Sequence, residues 1–191
     1  MNLFDDDFGS NGRTGGDWEN HRKHRDPRSG PALDEIGVLA LSSFQLARTD
    51  EVVVAVRGIT AYSDGLLLAV VVLFSDEQAA EDLSWAMRDF SRSPGRFRFG
   101  CVFADGQSAT SGTRDAPAVR TAEGPALLLT DSSSSALVWD GDYWLTPLPP
   151  KGPLVLGCRW PDRGIPETLV EIDPAPLLIA AASSGPVWTA P

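Results

Sequence analysis

Residues 139–154 read WDGDYWLTPLPPKGPL, and LGCRW follows at 156–160, so Asp140, Asp142, Trp144 and Arg159 lie close together in the chain. Carboxylates two apart on a strand share one face. They could frame a polar contact or, with a second acid facing them across a cleft, serve as acid and base in glycoside hydrolysis. Several aromatic rings on one accessible face would instead suit the stacking of sugars or bases. The spacing decides between these readings. With PPKG (149–152) as the loop of a hairpin, Leu145 faces Leu156, Tyr143 faces Cys158, Gly141 faces Trp160 and Asp142 faces Arg159. The period of two then sends Trp139, Tyr143 and Trp160 into the core, with the Trp160 ring over the bare backbone of Gly141. Trp144 alone points outward, among Asp140, Asp142 and Arg159. These four are the candidate binding residues, and they supply a contact surface rather than a stacking platform.

Other chemistry lacks material. Both histidines, His21 and His24, sit in the polar start of the chain as HRKH, so the apolar part has none for a Ser-His-Asp or Cys-His arrangement or a histidine metal site. Lys151 stands in a turn, unsuited to a buried Schiff base. Glu167 with Glu171, and Asp105 in ADG, are further carboxylates, but acids at such positions are most often solvated or turn-forming. The Asp-x-Asp at 140 and 142 resembles the start of a calcium loop, yet Trp144 stands where another oxygen ligand would be. No catalytic residue, cofactor or metal is assigned.

The elements that must position these residues can be read from the punctuation. Residues 1–31 hold six acids, five bases and many small residues, too little apolar surface to offset ordering entropy, and read as a disordered polar tail. From 32 to 191 the chain reads as a single domain: short apolar runs separated by turn signals such as RTDE, YSDG, ADG, PPKG and PDRG, the spacing of a sandwich. Two helices are expected. One is SDEQAAEDLSWAMRDF (75–90), with Ser75 and Gln78 as a capping box and Ala79, Leu83, Met87 and Phe90 on one face. The other starts near Asp173, where Pro174 suits the first turn of an Ala/Leu run. Residues 106–124 read as a loop and the serine run at 132–135 as a linker.

Composition narrows the partners. Sixteen basic and 26 acidic residues give a net charge of −10, which argues against nucleic acid and favours a basic protein partner. The longest apolar run, GLLLAVVVLF from Gly65 to Phe74, is about half of what crosses a hydrocarbon layer of roughly 30 Å as a helix. It reads as a buried strand, so no membrane association is expected. MNLFDDDFGS has no basic-then-apolar export signal. Cys101 and Cys158, both in apolar surroundings, read as free buried thiols in a reducing cytoplasm.

LARTDEVVVAVRGITAY, RFRFGCVFADG, YWLTPLPPKGPL and CRWPDRGIPETLVEID, followed by an Ala-rich end and a Trp, resemble an uncharacterised family of actinobacterial proteins over roughly residues 38–188. The resemblance implies a cytosolic β-rich protein and carries over no activity, cofactor or catalytic residue. Family members carry glycines where this chain has its serine run.

The sequence therefore predicts a mostly β, antiparallel sandwich of immunoglobulin-like architecture, with about seven to nine strands and one or two short helices. Its expected role is a non-enzymatic protein-interaction or scaffold module of the cytoplasm. The alternative is a carboxylate-dependent hydrolase or carbohydrate-binding module built around residues 139–160.

Overall fold

Val, Ile and Leu dominate the segments on either side of YSDG, and these β-branched and apolar runs pair as the longest hairpin of the molecule. The computed structural model describes residues 26–77, 80, 95–113 and 124–188. In it, strands β3 (Val52–Tyr62) and β4 (Gly65–Phe74) join antiparallel through the turn at Ser63 and Asp64. Strand β4 buries its whole core-facing side, Leu66, Leu68, Val70, Val72 and Phe74, while on the other side Leu67 and Ala69 are half-buried and Leu73 is exposed.

The remaining described strands are β1 (Val38–Leu41), β2 (Phe44–Arg48), β5 (Arg98–Val102), β6 (Ser108–Thr110), β7 (Gly112–Thr113), β8 (Ala126–Ser135), β9 (Val138–Thr146), β10 (Leu154–Trp160) and β11 (Ile165–Ile172). They form two sheets. The large sheet runs β1-β3-β4-β9-β8-β7, with β2 sharing the outer edge of β3; the small sheet runs β11-β10-β5-β6. All pairings are antiparallel except the short parallel contact of β7 with β8. The chain is thus mostly β with antiparallel sheets packed as a sandwich, and the strands are more numerous than expected because β6 and β7 are only short ones.

The core lies between the sheets. Val54, Leu68, Tyr143 and Leu145 from the large sheet meet Phe99, Leu154, Leu156 and Trp160 from the small one. Phe99 and Tyr143 approach with ring centroids 4.9 Å apart, and Phe74 meets Trp160 edge-on at 6.2 Å. Helix α1 (Ala175–Ser183) starts after Pro174, as expected, and buries Leu177, Ala180 and Ala181 against the β1 and β3 side. Cys101 and Cys158 are free and buried.

Several expectations are corrected. The polar tail does not extend to residue 31: Pro27–Ser29 form a 3-10 turn, with the Asp26 carboxylate accepting from the Arg28 N–H at 3.0 Å. Residues 1–25, with HRKH, lie outside the described residues. So does most of the helix expected at 75–90. The loop expected at 106–124 contains β6 and β7, with 114–123 outside the description. The serine run is no linker: Ser132 to Ser135 pair with Gly141 to Val138 as the end of β8.

The main correction concerns the hairpin. Strands β9 and β10 do not pair; β9 lies between β4 and β8 in one sheet, and β10 between β5 and β11 in the other. Residues 147–153 carry the chain across the sandwich. Pro147, Pro149, Pro150 and Pro153 have no N–H to open a ladder, so this stretch cannot begin a tight hairpin. The expected faces survive, because each strand still alternates between core and outside. Trp139, Tyr143, Leu145, Leu154, Leu156, Cys158 and Trp160 are all buried in the common core. The partners do not survive. Gly141 is covered by the ring of Trp139, two residues earlier on the same strand, rather than by Trp160.

Candidate functional site

Of the four predicted binding residues, three lie on one side of the sandwich and one on the other. Asp140, Asp142 and Trp144 point away from the core on β9, so they belong to the outward face of the large sheet. Arg159 points away from the core on β10, on the outward face of the small sheet. They do not form a common site, and the reason is the crossing at 147–153.

Trp144 is also not exposed. Its relative accessibility is 0%, because the N-terminal turn lies over it and the indole Nε1–H donates to the Pro27 carbonyl oxygen at 2.8 Å. Tyr62 meets the indole edge-on, with centroids 5.6 Å apart. Beside this covered end the same face is acidic. Asp140 pairs with Arg57 at 2.8 Å, and Asp142 sits opposite Asp131 of β8. Burial, then Asp131 and Asp140, raise the Asp142 carboxyl above the ordinary carboxylate range. Burial, then Asp142 and Glu35, likewise raise the Tyr62 phenol. Asp140 and Asp142 stand side by side on one strand and do not face each other across a cleft. Among the described residues, no group of three His, Cys, Asp or Glu could hold a metal ion.

The outward face of the small sheet is built differently. Across its middle, Thr110, Gly100, Gly157 and Leu169 are successive cross-strand neighbours on β6, β5, β10 and β11. Gly100 and Gly157 face one another and give the sheet a floor of bare backbone. Glycine inside a strand weakens it and marks close approach of another group. At Gly100 an added Cβ would come within 2.9 Å of the Ala109 carbonyl oxygen, so β6 itself requires that glycine. At Gly157 it would meet the end of the Leu169 side chain at 2.6 Å, a group that is 59% exposed and free to swing. Leu169 therefore leans over Gly157, while the Ala109 carbonyl and the Thr110 side chain stand close to Gly100.

The two flanks of this floor differ. On one side Val102 faces Val155, and on the other Arg98 faces Arg159. The result is a shallow trough of about 540 Å³, with Glu167 at its rim. Like charges directly opposite one another weaken a sheet. The lining of the trough holds two arginines and one glutamate, a formal charge of +1 on a chain whose net charge is −10. Its chemical capacity is two guanidinium groups for an anion, and two valines and a leucine for apolar groups.

Sequence reasoning found Arg159 but missed Arg98, Gly100 and Gly157. The signal was present as RFGCV and LGCRW, two strands each with Gly and Arg on the face opposite Cys. Recognising the match required knowing that these strands pair. No protein-family model, curated protein or solved structure matches the chain. The fold defines a class, an antiparallel β-sandwich, and the outward face of its small sheet carries Arg98 and Arg159 together with Glu167 and Glu171. No helix among the described residues is long and apolar enough to cross a membrane.

Proposed function

We propose that the protein is a non-enzymatic interaction module that holds an extended, acidic and partly apolar segment of a partner protein in the trough of the small sheet. The observation that carries this reading is the lining of the trough, where Arg98 and Arg159 are cross-strand partners at one end and Val102, Val155 and Leu169 supply an apolar surface beside them. A carboxylate of the partner would accept charge-assisted hydrogen bonds from the guanidinium groups, each worth about 1.5 to 3 kcal/mol. An apolar side chain one or two positions along would lie against Val102, Val155 and Leu169. This replaces the basic partner expected from net charge: the charge of the whole chain is acidic, but that of the trough is not. No observation favours the carbohydrate reading, since Trp139, Tyr143, Trp144 and Trp160 are all buried.

The test is selection from a random peptide display library on the full-length protein. The expected outcome is a consensus with an acid beside an apolar residue, and affinity lost at least about tenfold by Arg98→Glu or Arg159→Glu. A basic consensus, or binding indifferent to both charge reversals, would overturn the proposal.

A further inference from the structure

The trough has a matching ligand in the chain that carries it. Residues 3–8 read LFDDDF, the only run of three consecutive acids in the chain, with apolar residues on both sides. The lining of the trough suits that composition: Arg98 and Arg159 at one end for carboxylates, and Val102, Val155 and Leu169 for apolar side chains. The next seventeen residues, 9–25, hold two acids and four bases, so the acidic character is confined to LFDDDF. Like charge disfavours the outward face of the large sheet, where Asp131 stands opposite Asp142.

The point of attachment favours the same pairing. The described chain begins at Asp26, which lines one cavity together with Phe103 and Gln107. Those two residues close the turn between β5 and β6, the Phe103 N–H donating to the Gln107 carbonyl at 2.8 Å, and Val102 and Ser108 are the strand partners beside it. The tether therefore starts at the valine end of the trough. Its seventeen residues span at most about 56 to 61 Å at roughly 3.3–3.6 Å each, far more than the length of β5. The order of the motif also fits. Phe8 is nearest the tether, with Asp7, Asp6 and Asp5 successively further away, just as Val102 is nearest the start and Arg98 lies at the other end of β5. From Phe8 to Asp5 an extended chain covers about 10 Å, and from Val102 to Arg98 the strand covers about 14 Å. An arginine stem spans that difference.

We infer that residues 3–8 are an internal ligand of the trough, with Asp5, Asp6 and Asp7 against Arg98 and Arg159 and Phe8 against Val102, Val155 and Leu169, and that an acidic partner segment binds by displacing them. The inference rests on the trough being the docking site proposed above. A tether makes the contact intramolecular, at an effective concentration on the order of 1 mM, so the partner's apparent affinity is lowered by the competition.

The test compares amide spectra of the isotope-labelled full-length protein and its Asp5→Asn/Asp6→Asn/Asp7→Asn variant, each at a high and a low concentration. The substitutions should shift Arg98, Gly100, Val102, Gly157 and Leu169 equally at both concentrations, and Arg98→Glu should in turn shift Asp5, Asp6, Asp7 and Phe8. Asp17→Asn/Glu19→Asn, outside the motif, should leave the trough resonances in place. The triple variant should bind a selected acidic peptide at least about tenfold more tightly than the unaltered protein. Shifts seen only at the high concentration would overturn the inference, because the segment would then come from a second copy. Trough resonances unmoved by the triple substitution but moved by a selected peptide would overturn it and leave the docking reading standing. If neither moves them, the docking reading fails as well.

Discussion

Trp144→Ala provides the sharpest test of how the N-terminal turn and the large sheet fit together. A tryptophan pointing outward among charges would lose under about 1 kcal/mol on truncation. The structure gives a different figure. The indole is wholly buried, its edge contact with Tyr62 contributes about 0.5 to 1.5 kcal/mol beyond area burial, and its hydrogen bond to Pro27 adds about 1 kcal/mol net. With the cavity left behind, the expected loss is about 3 to 5 kcal/mol, the same range as for Trp160→Ala in the core. For a chain of this size that corresponds to a fall in thermal midpoint of about 6 to 20 °C. Trp144→Phe keeps most of the ring and loses the donor, so it should cost less than half as much. The assay is urea unfolding followed by far-UV circular dichroism, with the slope compared between variants to establish that only stability has changed. A loss below about 1 kcal/mol for Trp144→Ala would refute the reasoning, because it would mean that residues 26–29 do not cover the ring.

Other predictions follow from single features. Burial pushes the thiols of Cys101 and Cys158 up to about 11, so both should resist a thiol reagent at pH 8 in the folded protein and react on denaturation; rapid labelling of the native state would contradict their placement. Because these pKa values are raised on folding, the associated stability is present below the unfolded thiol value near 9 and is lost as pH climbs toward 11, by about 2 to 3 kcal/mol per thiol. A Cys101→Ala/Cys158→Ala variant should lose correspondingly less between pH 8 and pH 11 in urea titrations, and an equal loss would count against this. Asp142 has its folded pKa raised, so its charge opposes folding at neutral pH: Asp142→Asn should raise the urea midpoint at pH 7, and a fall would contradict the assigned surroundings. At Gly157 an added Cβ would meet the mobile Leu169 end and the fixed Thr168 carbonyl oxygen at 3.3 Å, so Gly157→Val should cost about 1 to 3 kcal/mol and abolish binding of selected peptides by the protein that still folds; retained binding would remove the trough as the site.

The sandwich was legible because alternation in strands reports which side of each residue faces the core. It placed Tyr143, Leu156 and Trp160 inward without any knowledge of the strand partners. For that same reason it could not reveal the partners: a strand with the correct inward face can sit in either sheet, and residues 147–153 look like a turn whether they close a hairpin or cross the sandwich. The prolines that prevent a ladder there are equally common in the turn of a hairpin, so their presence does not by itself separate the two. Trp144 was misplaced for a different reason. Its cover comes from a carbonyl 117 positions away, in a segment whose composition reads as tail. The serine run was misjudged because serine has little preference for strands, while the ladder to β9 supplies the order that the side chains do not. The candidate site suffered most, since Arg98 and Arg159 acquire meaning only as neighbours.

The central claim is that a partner segment lies in the trough of the small sheet, and its most direct test is the map of backbone amide shifts as a selected acidic peptide is titrated into the isotope-labelled full-length protein. The account predicts perturbations concentrated at Arg98, Gly100, Val102, Val155, Gly157 and Leu169, with β4 and the outward face of β9 unmoved. Perturbations confined to β8, β9 and the turn at 26–29, or spread evenly over both sheets, would contradict it.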